Sequence, residues 1–532
     1  MPLRVYLLLL LAVVALVISI GITKGELHFN GDEMRHAMTG VFARDLMVDR
    51  PWQNPARYTV EYFAKYPALG VLYWPPLFYF IEGLFFLVFG ISAVTSRVVI
   101  LCFALLGVCY WYKIAEREGP LHRALTSAFI FPLLPYVLTF ERVVMLEIPQ
   151  VALCLATIYY WQGFLREDRR RDLFLMAGLL VAAMLTSQKS IFLAFFVVIH
   201  FLVERRWRLL KRWEVWLAGL VSVALVVPWY WYSMRHLQFG IERVAGSSFA
   251  HTAKIFHLFY YPERIQLQLG FLLTLLGVAG LIWSLFRAPR EHRFFLVWVF
   301  SCYFCYTLIQ EKATRHTTIW IPPLVYFAVV ALEKLVPRKK WLYAACTLLA
   351  LYTFSKALLL EVAKVEGVQE AAKFLVAQPE SDVVYYQGYL NGDFVFYVRK
   401  YDPEKRRVVA REKQVVVTKV MYGYGSREVL RTPEQVLDFF RTWGIRYALV
   451  ENREMLPGLA PVRQVLQSDQ FEFMRDFALR SNNEYFKDQR LLLYRYRGEL
   501  RRTEKPVFLP MLTLRKDIRA DLNRLAGRPW PN

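Results

Sequence analysis

Cysteine and acidic residues are what this chain has least of. Among 532 residues there are 6 cysteines, Cys102, Cys109, Cys154, Cys302, Cys305 and Cys346, and every one falls inside an apolar run. That placement excludes a disulfide framework. The lone CxxC at Cys302 and Cys305 sits mid-run, where neither a zinc site nor a redox pair is expected. Asp and Glu number 44 against 66 Lys and Arg, a formal charge of +22. The excess does not form a nucleic-acid surface. It collects in short loops between apolar stretches, which is the positive-inside pattern of a membrane protein. No internal repeat is visible, which argues against the duplicated halves of many transporters. The first apolar run follows only Arg4 and has no small-residue cleavage site behind it, so it reads as a retained anchor.

What is present is apolar length. Hydrophobic residues make up 56% of the chain and aromatics 16%, with a mean hydropathy of +0.29. A span needs roughly 20 apolar residues. Eleven runs qualify: Val5–Ile22, Arg97–Ile114, Leu125–Phe140, Pro149–Phe164, Leu173–Thr186, Ile191–Val203, Val215–Tyr232, Leu267–Phe286, Phe294–Ile309, Ile319–Val336 and Trp341–Leu360. A further run, Pro75–Gly90, reaches only about 24 Å as a helix, short of the bilayer core. Leaving it out puts the basic loops around Arg117, Arg166, Arg205, Arg287 and Arg338 on one side; counting it would move them all to the other. It is therefore expected to lie in the outer interface. The expected architecture is an α-helical polytopic membrane protein of about eleven transmembrane helices, with interfacial helices in its first outer loop. Its amino terminus is expected in the cytoplasm, in a plasma (inner) membrane.

After residue 360 the composition changes. "EGVQEAAKFLVAQ" and "TPEQVLDFFRTW" read as helices, and "DVVYYQG", "QVVVTKV", "YALVEN" and "LLLYRYR" as strands. We expect two domains: a transmembrane domain over 1–360 and an exoplasmic (periplasmic) α/β domain over 361–532. The tail "LRKDIRADLNRLAGRPW" reads as a basic amphipathic helix.

On that topology the unusual polar residues gather on the outer side. They are Asp32 and Glu33 after the first span, Glu147 before the fourth, and Gln188 and Lys189 after the fifth. His236, His251, His257 and Arg264 follow the seventh, and Glu311, Lys312, Arg315 and His316 follow the ninth. Ionisable groups at membrane depth are costly and are functional candidates by default. Asn30-Gly31-Asp32 reads as a turn with Asp32 capping a helix, and a helix start favours ionised carboxylate. Acids able to take a proton beside cations able to hold a departing phosphate suit group transfer. The three loop histidines read as interfacial polarity and not as a metal site.

"GDEMRHAMTGVFARDL", "YPALGVLYWPPLFYF", "MLEIPQVAL", "LTSQKSIFLAF" and "EKATRHTTIWIPPL", in this order, resemble the C-type integral-membrane glycosyltransferases. The likeness is to the branch of protein O-mannosyltransferases and lipid A aminoarabinose transferases, and it covers nearly the whole chain. It implies Asp32 as catalytic base, with Glu33 beside it and Glu147 as the acid of the second outer loop. It also implies Lys189, Lys312, Arg315 and His316 as a site for the donor's phosphate. The implied partners are a sugar on a polyprenyl phosphate, a glycolipid (such as lipid A) or protein acceptor, and membrane lipids, with no nucleic acid. Transfer would invert the anomeric centre in one displacement. No cofactor is implied with certainty, though a divalent metal between Asp32 and Glu147 is conceivable. Trp74 stands where the aminoarabinose transferases carry a lysine, and Ser187-Gln188-Lys189-Ser190 replaces their Thr-Lys-Gly. The alternative is a flippase or transporter of lipid-linked sugar, which calls for polar groups running across the whole bilayer.

Overall fold

In the computed structural model of the chain, residues 3–236, 255–309, 312–419, 426–453, 457–501, 507–509 and 518–527 are described. Each of the eleven apolar runs carries a helix. The amino-terminal half contains α1 (Leu3–Ser19), α2 (Glu33–Asp49), α3 (Pro55–Lys65), α4 (Leu77–Phe89), α5 (Ala93–Glu118), α6 (Leu121–Leu133), α7 (Pro135–Glu141) and α8 (Glu147–Glu167). It continues with α9 (Arg170–Met184), α10 (Phe192–Val203), α11 (Trp213–His236), α12 (Ile255–Leu269), α13 (Phe271–Arg287), α14 (Arg293–Leu308), α15 (Ile321–Leu335) and α16 (Lys339–Leu358). Judged on length and composition alone, four helices among the described residues are long and apolar enough to cross a membrane, or five if one bent pair counts as a single span. The bent pair is α6 and α7, at 62°. Pro135 causes the break: it pushes Leu134 out of helical geometry, to ψ 129°, and cannot continue the hydrogen-bond ladder.

Ion pairs tie the basic loops into one end of the bundle. Arg123 Nη2 lies 2.6 Å from Glu333 and Arg170 Nε 2.9 Å from Glu214, Arg293 pairs with Glu204 at 3.2 Å, and Arg166 pairs with Glu118 at 2.5 Å. The opposite end is marked by Arg97, at the start of α5. Its Nη1 donates to the carbonyls of Ile22, Lys24 and Gly25, just past α1, at 3.2, 2.8 and 3.1 Å. The chain between α1 and α5 therefore leaves and returns at the same end, and α2, α3 and α4 form an excursion there. α4 packs along α2 through two glycines. A Cβ on Gly40 would meet Glu82, and one on Gly83 would meet the α2 backbone at Arg44.

The strands lie beyond residue 364. The main sheet contains β1 (Val383–Gln387), β2 (Val408–Arg411), β3 (Ile445–Glu451), β4 (Phe471–Ala478) and β5 (Arg490–Tyr496), in the order β2-β1-β3-β5-β4. The first three are parallel, and β5 and β4 add antiparallel edges. All five residues of β1 are buried, as expected of a central parallel strand covered on both faces. Helices α17 (Val368–Val376), α18 (Asn391–Tyr401), α19 (Glu412–Val415) and α20 (Pro433–Trp443) connect or flank these strands. Two expectations change. "QVVVTKV" is split between α19 and a short strand at Val417–Lys419. The tail is not one amphipathic helix: Ile518–Ala520 pairs antiparallel with Val507–Leu509, and Leu522–Leu525 alone is helical among its described residues.

This α/β unit is locked onto the excursion by buried charge. Arg399 donates from Nε to Asp45 Oδ2 and from Nη2 to Oδ1, both at 2.8 Å, and Tyr62 adds a hydroxyl at 2.7 Å. The Glu26 carboxylate accepts the amides of Gly367, Val368 and Gln369 at 2.9–3.1 Å, capping α17 from outside its own helix. Asp393 Oδ1 accepts the Leu27 amide at 3.2 Å, and Gly392 leaves room for Met34.

Candidate active site

Four of the expected residues meet where α2, α8, the 3-10 turn Gln188–Ile191 before α10 and the 3-10 turn Thr314–Trp320 before α15 converge. Each is held at the start of an element. Asp32 closes the turn Phe29–Gly31 and opens α2. Its side chain makes no capping bond there; the His36 amide instead reaches the Asp32 backbone carbonyl at 2.9 Å. The carboxylate is thus turned into the site. Arg315 reaches its Oδ2 from Nη2 at 3.3 Å and from Nη1 at 3.4 Å, and Arg35 comes within 4.0 Å of Oδ1. Glu147 is the first residue of α8. Its Oε1 accepts from Lys189 Nζ at 2.7 Å and stands 3.7 Å from Arg315 Nε. Its Oε2 is buried with no hydrogen-bond partner among the described residues. Lys189 is fixed from behind by Tyr306, whose hydroxyl donates to the Lys189 carbonyl at 2.7 Å. Acids and cations therefore alternate in space as Asp32, Arg315, Glu147, Lys189.

The other expected residues serve the scaffold or stand apart. Glu33, adjacent to Asp32 in sequence, is wholly buried and points the other way. It accepts the amides of His28 and Phe29 at 3.0 Å and of Val144 at 3.1 Å, with Arg97 at 3.7 Å. Those bonds join the segment after α1 to the segment before α8. Lys312 donates to the carbonyls of Tyr306, Thr307 and Ile309 at 3.1, 2.6 and 2.6 Å. Its three ammonium hydrogens close the end of α14, where a cation is favoured. His316 keeps a buried Nδ1 without a hydrogen-bond partner among the described residues. Arg264 lies over Tyr260 at 4.1 Å and pairs with Glu263, and His236 folds back onto the Tyr232 carbonyl at 2.8 Å. His251, Glu311 and the side chain of His257 lie outside the described residues.

His36 and Tyr79 belong to the site and were not expected. The His36 ring is buried. Its Nδ1 is 2.7 Å from the Tyr79 hydroxyl, and Trp74 packs on it with centroids 4.3 Å apart. Burial pushes its pKa down to about 3; the nearby Glu147 opposes the shift, and Arg315, Lys189 and Arg35 add to it. The ring is thus neutral at working pH. The signal was in the sequence: His36 follows Asp32 by four residues, on the same face of α2. Trp74 forms an aromatic lid on His36. A Cβ on Gly70 would strike its ring.

A divalent cation does not suit this arrangement. Arg315 occupies the space between the two carboxylates, and Lys189 already neutralises Glu147. Among the described residues no three His, Cys, Asp or Glu side chains come together as a ligand set.

Residues 74–232 match the family model described as dolichyl-phosphate-mannose-protein mannosyltransferase. No curated protein matches the chain. In structure it is similar to ArnT from Cupriavidus metallidurans, solved bound to undecaprenyl phosphate. The TM-score is 0.62 at 16% identity, over 94% of this chain and 100% of that one. The chain shares the fold of that protein. Archaeal oligosaccharyltransferase AglB from Archaeoglobus fulgidus is also similar, with a TM-score of 0.50 at 11% identity over 84% of this chain and 69% of that one. So is the arabinofuranosyltransferase AftD from Mycobacteria, at 0.53 and 14% identity, over 95% of this chain and 42% of that one. Within this fold the family match runs from just before α4 to α11. It includes Glu147 and Lys189, whereas Asp32, Arg315 and His36 rest on geometry.

Proposed function

We propose that the protein transfers a sugar from a polyprenyl-phosphate donor to an acceptor hydroxyl at the outer face of a plasma membrane, with its α/β domain on the same side. The observation that carries this reading is the alternation of Asp32, Arg315, Glu147 and Lys189. Arg315 presents a fork and Lys189 a point charge to the donor's phosphate. Asp32 takes the acceptor's proton as its oxygen attacks the anomeric carbon. The bond from that carbon to the phosphate oxygen breaks in the same step, and the phosphate leaves with the electron pair, its charge matched by cations already in place. The anomeric centre inverts.

Geometry separates the two acids. Glu147 is deeper, and Lys189 holds it at 2.7 Å; it keeps the lysine charged and placed. Asp32 is held only at 3.3 Å and beyond, which leaves it open to a hydroxyl. His36, neutral and clamped by Tyr79 and Trp74, walls the site. The match to the mannosyltransferase family favours a hexose, and the likeness to ArnT a polyprenyl carrier.

The test is donor consumption by purified protein in nanodiscs, with undecaprenyl-phosphate sugars offered singly and polyprenyl phosphate release measured. Release should depend on acceptor and fall at least about 10-fold in Arg315→Ala, with partial recovery in Arg315→Lys because the fork is lost. Movement of donor between leaflets without any release would instead establish the flippase reading.

A further inference from the structure

The carboxyl end of β1 lies near the start of α2. In open α/β sheets the carboxyl ends of parallel strands, where connections diverge to either side, form a ligand crevice. Here β1 leads through α18 to β2 on one side, and the chain then crosses to β3 on the other. The divergence falls between β1 and β3. Gly388 lies there at φ 155°, and its lack of a Cβ leaves space for the Glu451 carboxylate. Tyr389, next in the chain, is exposed and brings its hydroxyl to 3.9 Å from the Cβ position of Gly31, one residue before Asp32.

Three cations converge on this edge. Arg411 ends β2, buried; its Nη1 donates to Asn391 at 2.9 Å, and its Nε has no hydrogen-bond partner among the described residues. Lys413 lies over the Tyr389 ring at 5.8 Å. Arg35, on α2, is close enough to lower the pKa of both, Arg411 to about 9 with burial as the larger cause. Counter-charge is partial: Glu412 faces both Arg411 and Lys413, and Glu451 faces Lys413, with burial raising both carboxyls, Glu412 to about 7. Arg35 has Asp32 at 4.0 Å, which Arg315 holds more closely. Beside the cations stand two exposed aromatic rings, Tyr389 and Tyr485, edge to face at 5.5 Å, with Arg453 stacked on Tyr485 at 3.4 Å.

We propose that this edge is the acceptor's docking site and that it takes an acidic saccharide. The sugar lies on Tyr389 and Tyr485, and a phosphate on that sugar is held by Arg35, Arg411 and Lys413, next to Asp32. The inference rests on the transferase reading above but is tested apart from it, by binding in the absence of donor.

Equilibrium binding to the full-length protein in nanodiscs should be measured with glucose 1-phosphate, glucose and inorganic phosphate as probes. Glucose 1-phosphate should bind more tightly than either of the others. Lys413→Gln should weaken glucose 1-phosphate and inorganic phosphate at this site by at least about 10-fold, as expected for loss of a charge-assisted contact. Tyr485→Ala should weaken glucose 1-phosphate and leave inorganic phosphate unchanged. Both side chains are partly exposed, so the variants should fold where Arg411→Gln would not. Unchanged affinities in Lys413→Gln, or equal binding of glucose 1-phosphate and inorganic phosphate, would overturn the site. The dodecyl ester of glucose 1-phosphate identifies the source: tighter binding than the parent supports a lipid head group, and equal binding supports a soluble saccharide. Undecaprenyl phosphate binding is followed in parallel. Its absence in a protein that still binds glucose 1-phosphate at Lys413 would remove the donor reading and leave this site standing.

Discussion

Helix α2 carries two buried aspartates about 20 Å apart along its axis, each facing an arginine from a distant part of the chain. At the Asp45 end, Arg399 makes two parallel bonds at 2.8 Å, Tyr62 a third and Arg44 a fourth at 2.7 Å, and the Asp45 and Arg399 side chains are essentially without solvent exposure. At the Asp32 end, Arg315 reaches one of the two Asp32 oxygens, at 3.3 and 3.4 Å, and its side chain is 30% exposed. The residue types are the same; the saturation is not. At Asp45 burial raises the pKa and Arg399 more than offsets it, so the carboxylate stays ionised and fully bonded. A carboxylate with every lone pair engaged fixes a position. One with an oxygen left over can receive a hydroxyl.

That contrast can be broken most forcefully at the saturated end. Arg399→Leu strips the buried Asp45 of its two-bond partner, leaving Arg44 and the Tyr62 hydroxyl at 2.7 Å, and should cost about 3 kcal/mol. The readout is denaturant or thermal unfolding in detergent, with loss of protease resistance at the junction between α2 and the α/β unit. Arg315→Leu, its counterpart, should leave unfolding nearly unchanged. Equal destabilisation by the two would erase the distinction.

The loose end is sharpened by Asp32→Asn. This change preserves shape but cannot accept a proton, and transfer should slow by at least about 100-fold, within the range for losing a general base. Since the Asp32 side chain makes no capping bond, unfolding should move by less than about 1 kcal/mol. Near-normal turnover would return the base to another group. Glu33→Gln should do the reverse. Its three backbone amides and Arg97 lose a charged acceptor, costing about 1–3 kcal/mol, while turnover of the protein that remains folded stays close to normal.

How much of this was readable follows the physics of each signal. Apolar runs and basic loops report on burial and sidedness, and every run became a helix. Pro135 shows where the same signal misses a break inside a run. In the α/β unit, β1, β3, β5, α17 and α20 follow from alternation and caps. "NGDFVFYVRKY" was not assigned, because α18 is buried on most of its faces and so lacks an amphipathic stripe. Position in the loops expected on the outer side was enough to gather Asp32, Glu147, Lys189 and Arg315. It could not separate Asp32 from Glu33, since adjacent helical residues differ by about 100° in bearing, and which of them faces the site is set by Val144 and Arg97, more than 60 residues away. Nor could it show that Lys312 closes α14, because helix-end carbonyls become partners only after the chain folds.

The smallest effect concerns how the two halves hold together. Glu26 caps α17 with three amides, yet burial lifts its pKa from 4.5 to about 7, the amides only partly offsetting this. Asp393, which accepts the Leu27 amide nearby, is raised too, by burial first and then by Glu26 and Glu33. A carboxyl whose folded pKa exceeds its unfolded value binds protons better in the folded state. Its contribution is full below the unfolded pKa and is lost as pH rises through the folded one. The junction should therefore loosen between about pH 5 and pH 8. The Asp45–Arg399 pair, depressed and saturated, should not respond in that window. Hydrogen exchange at the Gly367, Val368 and Gln369 amides is the measurement, with the amides around Arg399 as the internal reference. Glu26→Gln cannot ionise and should flatten the pH dependence at α17 while leaving the reference unmoved. The same change removes one neighbour that raises Asp393, so the residual slope should also shift to lower pH. Exchange at α17 that is independent of pH in the unaltered protein would show that the three amides outweigh burial and that Glu26 is as firmly ionised as Asp45.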